Sequence, residues 1–349
     1  MTRAVTDMQD PVIMQAAAAL DAGQLVAFPT ETVYGLGADA ENPAAVASIY
    51  AAKGRPQDHP VIVHVAPADP PNLALDYWTT AIPSAARQLA DAFWPGPLTM
   101  ILKRAPNIPD AVSGGQDTVG IRCPSHPVAI ALLQAFKNGK GGVAAPSANK
   151  FGHVSPTTAQ HVRDEFGDDP RLAAVLDGGQ SQVGIESTIV DLSRLATHGP
   201  VLLRPGHISA EAIAAVIDRL PARPDAAAPR ASGTLESHYA PHTPVAMQDS
   251  ATLADTLARL AGAGRKVALI HYSAMPAVHA AVRLPATPEG FAHALYAALR
   301  AMDGTGADLI LVEAPPQEGA WLGVNDRLRR AAHGSSGIMH GLINNTPAF

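Results

Sequence analysis

Short apolar runs alternate along this chain with longer stretches in which apolar positions recur at helical spacing. Pro11 to Ala22 has the helical rhythm and stops at Gly23, and Leu25 to Phe28 is an apolar run stopped by Pro29, as in a buried strand. The same reading predicts helices over Ala44 to Lys53 (closed by Gly54), Ile82 to Phe93, Pro127 to Phe136, Thr157 to Glu165 and Ala210 to Ile217. It predicts strands at Val61 to Val65, Leu98 to Lys103, Val119 to Arg122, Val143 to Ala145, Ala174 to Leu176 and Thr188 to Asp191. Alternation of this kind implies an α/β sheet with covered faces.

The rhythm breaks near Leu220. Pro221 to Arg230 is rich in Ala, Pro, Arg and Asp and reads as a linker. A second periodic region follows, with strands expected at Lys266 to His271 and Leu309 to Glu313, a helix at Glu289 to Asp303 and another starting at Asn325. The expected organisation is therefore a domain over residues 1–220, a linker over 221–246 and a smaller α/β domain over 247–349.

Length supports two domains: 349 residues exceed one ordinary core, and 47% of them are hydrophobic. Charge narrows the function classes. With 25 Lys and Arg against 31 Asp and Glu, the net charge of −6 argues against a general nucleic-acid coat, although it leaves room for a local basic groove. One cysteine, Cys123, excludes an internal disulfide framework and a cysteine-based zinc site, and fits a reducing compartment. Met1 to Asp10 lacks the apolar segment of a signal peptide, and no apolar run approaches a membrane span, so the expected location is cytoplasmic.

Five polar clusters interrupt the apolar pattern. Pro29-Thr30-Glu31-Thr32-Val33-Tyr34-Gly35-Leu36-Gly37 follows the first strand and offers hydroxyls and open backbone at its carboxyl end; alone it reads first as a capped turn. Lys53-Gly54-Arg55-Pro56-Gln57-Asp58-His59-Pro60, with His64 beyond, sets two cations on a helix-terminal loop. They suit an anion, or simply the negative end of the helix. Arg122 ends an apolar strand, where a bare guanidinium would be costly; a bound anion or an internal carboxylate would satisfy it. Ser147 and Asn149 follow a strand, and Ser155 precedes a helix that it could cap. Glu186-Ser187-Thr188 opens a strand and Arg204 closes another. Walker-type G-x-x-x-x-G-K-[ST], G-x-G-x-x-G after a strand and H-E-x-x-H are all missing, and the histidines have no metal-ligand spacing.

In their order these clusters, with Trp94-Pro95-Gly96-Pro97-Leu98-Thr99 and Ser155-Pro156-Thr157, resemble the YrdC/YciO family. Ser237-His238-Tyr239-Ala240-Pro241-His242-Thr243-Pro244 resembles the linker motif of its long, two-domain threonylcarbamoyl-AMP synthases. The resemblance implies a YrdC-like twisted mixed sheet with an open basic cleft, plus a smaller Rossmann-like α/β domain. It implies a nucleotidyltransferase that converts L-threonine, bicarbonate and ATP to threonylcarbamoyl-AMP and pyrophosphate, with magnesium accompanying ATP. The product would pass to the transferase machinery that modifies adenosine in tRNAs reading codons that start with A; contact with tRNA itself is not required.

Carried over to this chain, the resemblance assigns Thr32, His64, Arg122, Ala145 and Ser187 to threonine. It assigns Arg55, His59, Thr118, Ser147, Asn149, Ser155, Arg204, His238 and Tyr239 to ATP, and Lys53 with Arg55 to the reacting centre. His59 stands where the family often has Asn, and Lys150-Phe151 replaces the commoner Leu-Ser. Two rivals are an RNA-binding module without synthase activity and a carbamoyl-adenylate enzyme of hydrogenase maturation. The first lacks interleaved aromatic and basic residues, the second its zinc-finger and acylphosphatase segments.

Overall fold

The computed structural model describes residues 7–236, 238–274, 277–335 and 337–344. The expectation for Met1 to Asp10 falls mostly outside them, as does Ser237 of the linker motif. The chain divides into two compact units, Met1–Phe151 with Pro156–Thr234, and Gly152–Ser155 with Leu235–Phe349.

The first unit runs α1 (Pro11–Asp21), β1 (Leu25–Phe28), β2 (Gly35–Asp39), α2 (Pro43–Lys53), β3 (Ile62–Val65), α3 (Ser84–Phe93), β4 (Leu98–Lys103) and α4 (Asp110–Ser113). It continues through β5 (Thr118–Arg122), α5 (Pro127–Ala135), β6 (Gly142–Ala144), α6 (Ala159–Phe166), β7 (Leu172–Val175), β8 (Thr188–Asp191), α7 (Leu195–His198), β9 (Val201–Arg204) and α8 (Ala210–Ile217). The strands form one mixed sheet in the order β7-β1-β2-β6-β3-β5-β4-β8-β9.

Strand β1 shows why the sheet is covered on both faces. Its side chains alternate: Leu25 and Ala27 join a core with Leu36, Ile49 and Val63, while Val26 and Phe28 join another with Ile13, Leu20, Leu132 and Phe136. The Pro29–Gly37 cluster begins at the carboxyl end of β1, in a part of the sheet whose pairing is mixed. The rule that ligands sit at strand carboxyl ends belongs to parallel sheets. Here β1, β2, β6 and β3 are successively antiparallel, so neighbouring strand ends point opposite ways.

Strand β2 is not expected from its sequence, because its two glycines disfavour strands. Both are used for close approach: a Cβ on Gly37 would lie 2.7 Å from Val143 and 2.8 Å from the Phe28 ring. Helix α2 is bounded as its sequence dictates. Asn42 Oδ1 accepts from Ala44 N (3.1 Å) and Ala45 N (3.2 Å), Pro43 opens the helix, and Gly54 ends it in the left-handed region at φ 64°. That turn separates Lys53 from Arg55.

The second unit runs β10 (Val245–Gln248), α9 (Ser250–Gly262), β11 (Val267–His271), β12 (Ala280–Arg283), α10 (Pro288–Asp303), β13 (Leu309–Glu313), α11 (Leu322–Ala332) and α12 (Ile338–Asn344). Its strands are parallel in the order β10-β13-β11-β12. Leu253, Leu257 and Leu260 of α9 pack on Val267, Leu269, Leu309 and Leu311. None of the described helices is long and apolar enough to cross a membrane.

Candidate active site

The turn after β1 is tied by its own hydroxyls. Thr30 Oγ1 donates to Val33 O (2.6 Å) and shares a hydrogen bond with Thr32 Oγ1 (2.9 Å), so this short polar run folds on itself. The side chain of Arg122, at the end of β5, reaches this turn. Its Nη2 donates to Glu31 Oε1 (2.6 Å), its Nη1 to Thr32 Oγ1 (2.9 Å) and its Nε to Gly96 O (3.4 Å). Glu31 Oε2 accepts from Ser125 N (3.1 Å), and both members of the ion pair are buried. Of the two ways to satisfy Arg122, the internal carboxylate is the one present. Five N–H donors belong to a guanidinium and three are used here, so two have no partner among the described residues.

His64 lies opposite Arg122 in the β3–β5 ladder and meets Phe28 edge-on, ring centroids 6.0 Å apart. Burial, reinforced by the Arg122 charge, pulls its imidazole down to about 3, so it is neutral in any working buffer. Its buried Nδ1 has no hydrogen-bond partner among the described residues. Polar atoms rarely stay in that condition unless something else completes them.

At the basic corner, Lys53 is buried and its Nζ donates to Ser147 O (2.6 Å) and to Asn149 O. Burial, with Arg55 next, pushes this amine well below its usual range. Lys53 thus clamps the loop that follows β6. Arg55 Nη2 donates to Pro60 O (2.8 Å) and meets Ser232 Oγ at 3.5 Å. The two positions that depart from the family pattern meet: the His59 and Phe151 rings lie 5.6 Å apart at 63°. Lys150 donates through Nζ to Ala52 O (2.7 Å), so it too is drawn to the end of α2. Burial, then Arg55, lowers the His59 imidazole.

Around β8 and β9, Arg204 Nε and Nη2 both donate to Ser187 O (3.0 and 2.9 Å), and Nη2 meets Ser187 Oγ at 3.1 Å. Ser187 Oγ also bonds Thr99 Oγ1 (2.8 Å). Ser232 O accepts from Arg204 Nη1 (2.8 Å), so one linker residue touches both arginines assigned to ATP. Thr118 begins β5 and Arg122 ends it, which separates them by about 13 Å along the strand.

Ala145 N donates to Ile62 O (2.9 Å), which holds it against β3, beside the strand that carries His64. The structure thus gathers Glu31, Thr32, His64 and Arg122 at the turn after β1, and Lys53 with Ser147 and Asn149 at the end of α2; Gly35 pairs with Ser147, so the loop after β6 also borders that turn. Ser155, His238 and Tyr239 belong to the second unit. Ser155 does not cap α6; Thr158 does, accepting from His161 N (3.2 Å), because the intervening prolyl segment delays the helix. Cys123 is buried and its thiol is pushed up to about 12, mainly by burial, which suits packing and not attack.

Sequence reasoning gives no role to Glu31, Ser232 or Ser181. The acid at 31 is readable as a partner for Arg122. The Ser181 hydroxyl is not: it is fully buried without a hydrogen-bond partner among the described residues, on a loop whose Val183 N donates to Glu31 O (2.7 Å).

The chain matches two family models, one described as "Telomere recombination" (the yciO/yrdC type) over residues 18–206, the other as "Threonylcarbamoyl-AMP synthase, C-terminal domain" over residues 208–333. It is 39% identical to the threonylcarbamoyl-AMP synthase of Pyrococcus abyssi over 89% of this chain and 91% of the relative. It is 40% identical to that of Bacillus subtilis over 93% and 94%. Its fold superimposes on the crystal structure of P. abyssi Sua5 complexed with L-threonine with a TM-score of 0.83, at 38% identity, over 92% of this chain and 94% of the other. With both family models matched in sequence and relatives aligned across both domains, this chain belongs to the threonylcarbamoyl-AMP synthase family, in its two-domain form.

Proposed function

We propose that the chain condenses L-threonine, bicarbonate and ATP to threonylcarbamoyl-AMP and pyrophosphate, a nucleotidyl transfer that supplies the modification of tRNA adenosine. The observation that carries this reading is the buried Arg122, fixed by Glu31 and Thr32 and set against a neutral His64 with an uncompleted ring nitrogen. Glu31 holds the guanidinium plane, and the remaining N–H donors take the amino-acid carboxylate bidentately. His64 Nδ1, Thr32, the small Ala145 and Ser187 surround the rest of the threonine.

Two steps follow. The threonine amine attacks the bicarbonate carbon and water leaves, giving a carbamate. A carbamate oxygen then attacks the α-phosphorus of ATP, the bond to the β-phosphate oxygen breaks, and pyrophosphate departs. Neither step needs a protein nucleophile; both need positioning and charge neutralisation. Among the described residues no group of three His, Cys, Asp or Glu side chains could hold a metal ion. Magnesium would enter with the triphosphate, whose charge it would neutralise. Arg55 and Arg204 serve the phosphates and Lys53 holds the Ser147–Asn149 loop, while His59, Thr118, Ser155, His238 and Tyr239 keep the assignment to ATP that the family resemblance gives them. Bicarbonate, the downstream transferase and a cytoplasmic setting belong to the same reading.

The test is pyrophosphate release with each of threonine, bicarbonate and ATP omitted in turn. Dependence on all three supports the proposal, and release indifferent to threonine ends it. Tight tRNA binding without pyrophosphate release would revive the RNA-binding alternative, for which the synthase relatives give no support.

A further inference from the structure

Tyr239 has a positive φ of 61°, a left-handed backbone that is strained for a bulky residue and persists only where surroundings impose it. Its ring is buried. The neighbouring His238 ring lies 4.1 Å from it, and helix α11 of the same unit supplies further contacts. Arg327 of α11 lies over the Tyr239 ring, 5.7 Å from its centroid. Arg330, one turn on, takes the residues just before it from two sides: its side chain donates to Leu235 O, and its carbonyl accepts from His238 N (3.4 Å). The ring of Tyr296 on α10 also packs on it, centroids 5.7 Å apart.

Asp326 organises both arginines. Its buried carboxylate accepts from Arg330 Nε and Nη2 (3.0 Å each) and from Arg327 Nη1 (3.1 Å). Burial alone would raise this carboxyl, but the arginines prevail and hold it low, so it is ionised and grips them as a fixed fork. A lone domain-packing role would need neither a bidentate clamp on Arg330 nor a cation over the one ring whose backbone is strained.

We propose that Asp326, Arg327 and Arg330 on α11 are positioning residues that hold Tyr239 in the conformation in which it meets the nucleotide. This rests on the assignment of Tyr239 to ATP made above.

The experiment compares Tyr239→Ala, Arg327→Met, Arg327→Lys and Arg330→Lys, with the Tyr239→Ala/Arg327→Met double variant. Threonine-dependent pyrophosphate release and thermal melting are measured on the full chain. Arg327→Met is expected to raise KM for ATP by about tenfold, the scale of one misplaced polar group, with KM for threonine unchanged. Arg327→Lys, which keeps the cation over the ring, and Arg330→Lys, which keeps a donor to Leu235 O, should both fall between. In the double variant Arg327→Met should add nothing to the loss caused by Tyr239→Ala, since coupled residues are non-additive. Tyr239→Ala with unaltered KM for ATP would refute the assignment beneath this inference. An impaired Tyr239→Ala beside a normal Arg327→Met, an equal rise in both KM values, or full additivity would refute the inference alone. If Arg327→Met does not fold, the two lysine variants carry the same comparison.

Discussion

Arg122 and Arg327 are both buried arginines held by a buried carboxylate, and they are built differently. Arg122 has Glu31 to itself, one cation to one anion, with a threonine hydroxyl on the other nitrogen. Asp326 serves three arginines, Arg327, Arg329 and Arg330, and only Arg329 reaches well into solvent. The first pair cancels its charge and retains spare donors, which suits a site that must accept a small zwitterion and release it. The second uses one carboxylate to orient several long side chains, which suits a scaffold. Burial alone therefore does not distinguish the two arginines; the ratio of cations to carboxylate does.

The harshest way to break the comparison is Arg122→Met. It leaves Glu31 buried and unpaired, so a loss of about 3–5 kcal/mol in stability is expected by denaturant unfolding, together with loss of threonine-dependent turnover. Arg122→Lys restores the charge without the fork. It should fold and still raise KM for threonine by about a hundredfold, because a point charge cannot grip both carboxylate oxygens in parallel. If Arg122→Lys binds threonine normally, the spare donors do not hold the ligand.

Asp326→Asn is expected to cost about 3 kcal/mol, with threonine affinity retained. Its pH signature is specific. The folded Asp326 carboxyl is depressed, so its stabilisation is full above the usual carboxylate value near 4 and is lost as pH falls through the folded value. Acid melts of Asp326→Asn should lack that part of the slope; an unchanged slope would remove Asp326 from its central place.

His64 gives the next effect. Folded it titrates at about 3, whereas unfolded it takes a proton near 6.5, so stability falls as pH drops below 6.5, by about 2 kcal/mol at pH 5. His64→Gln should flatten melting temperature between pH 7 and 5. A wild-type protein already flat there would contradict the neutral buried imidazole. The smallest change expected is Ser181→Ala, which removes an unsatisfied buried hydroxyl and should alter stability by no more than about 1 kcal/mol, upward. A marked loss would mean that the hydroxyl has a partner.

Much of this molecule is legible in its sequence where one signal dominates. Leu98–Lys103, Thr188–Asp191, Ala210–Ile217 and Leu309–Glu313 fall where their apolar runs place them. The failures have physical causes. Gly35–Asp39 reads as a loop because glycine seldom builds strands, yet here its missing side chains let β2 run beside Phe28 and Val143. Helix α9 and strands β10 and β12 are not among the elements expected from the sequence, and β10 begins inside the segment expected as linker. The polar clusters are visible, but their pairing is not: 91 positions separate Glu31 from Arg122, and nothing local records that they meet.

Cys123 gives the site a built-in reporter. It is the sole sulfhydryl in the chain, adjacent to Arg122, buried, and almost wholly unionised at neutral pH. A thiol-directed dye therefore reacts only when this part of the first unit opens, and its labelling rate counts those openings. Amino acid bound at Arg122 should slow the dye in proportion to occupancy, so that the cysteine measures ligand capture without any turnover.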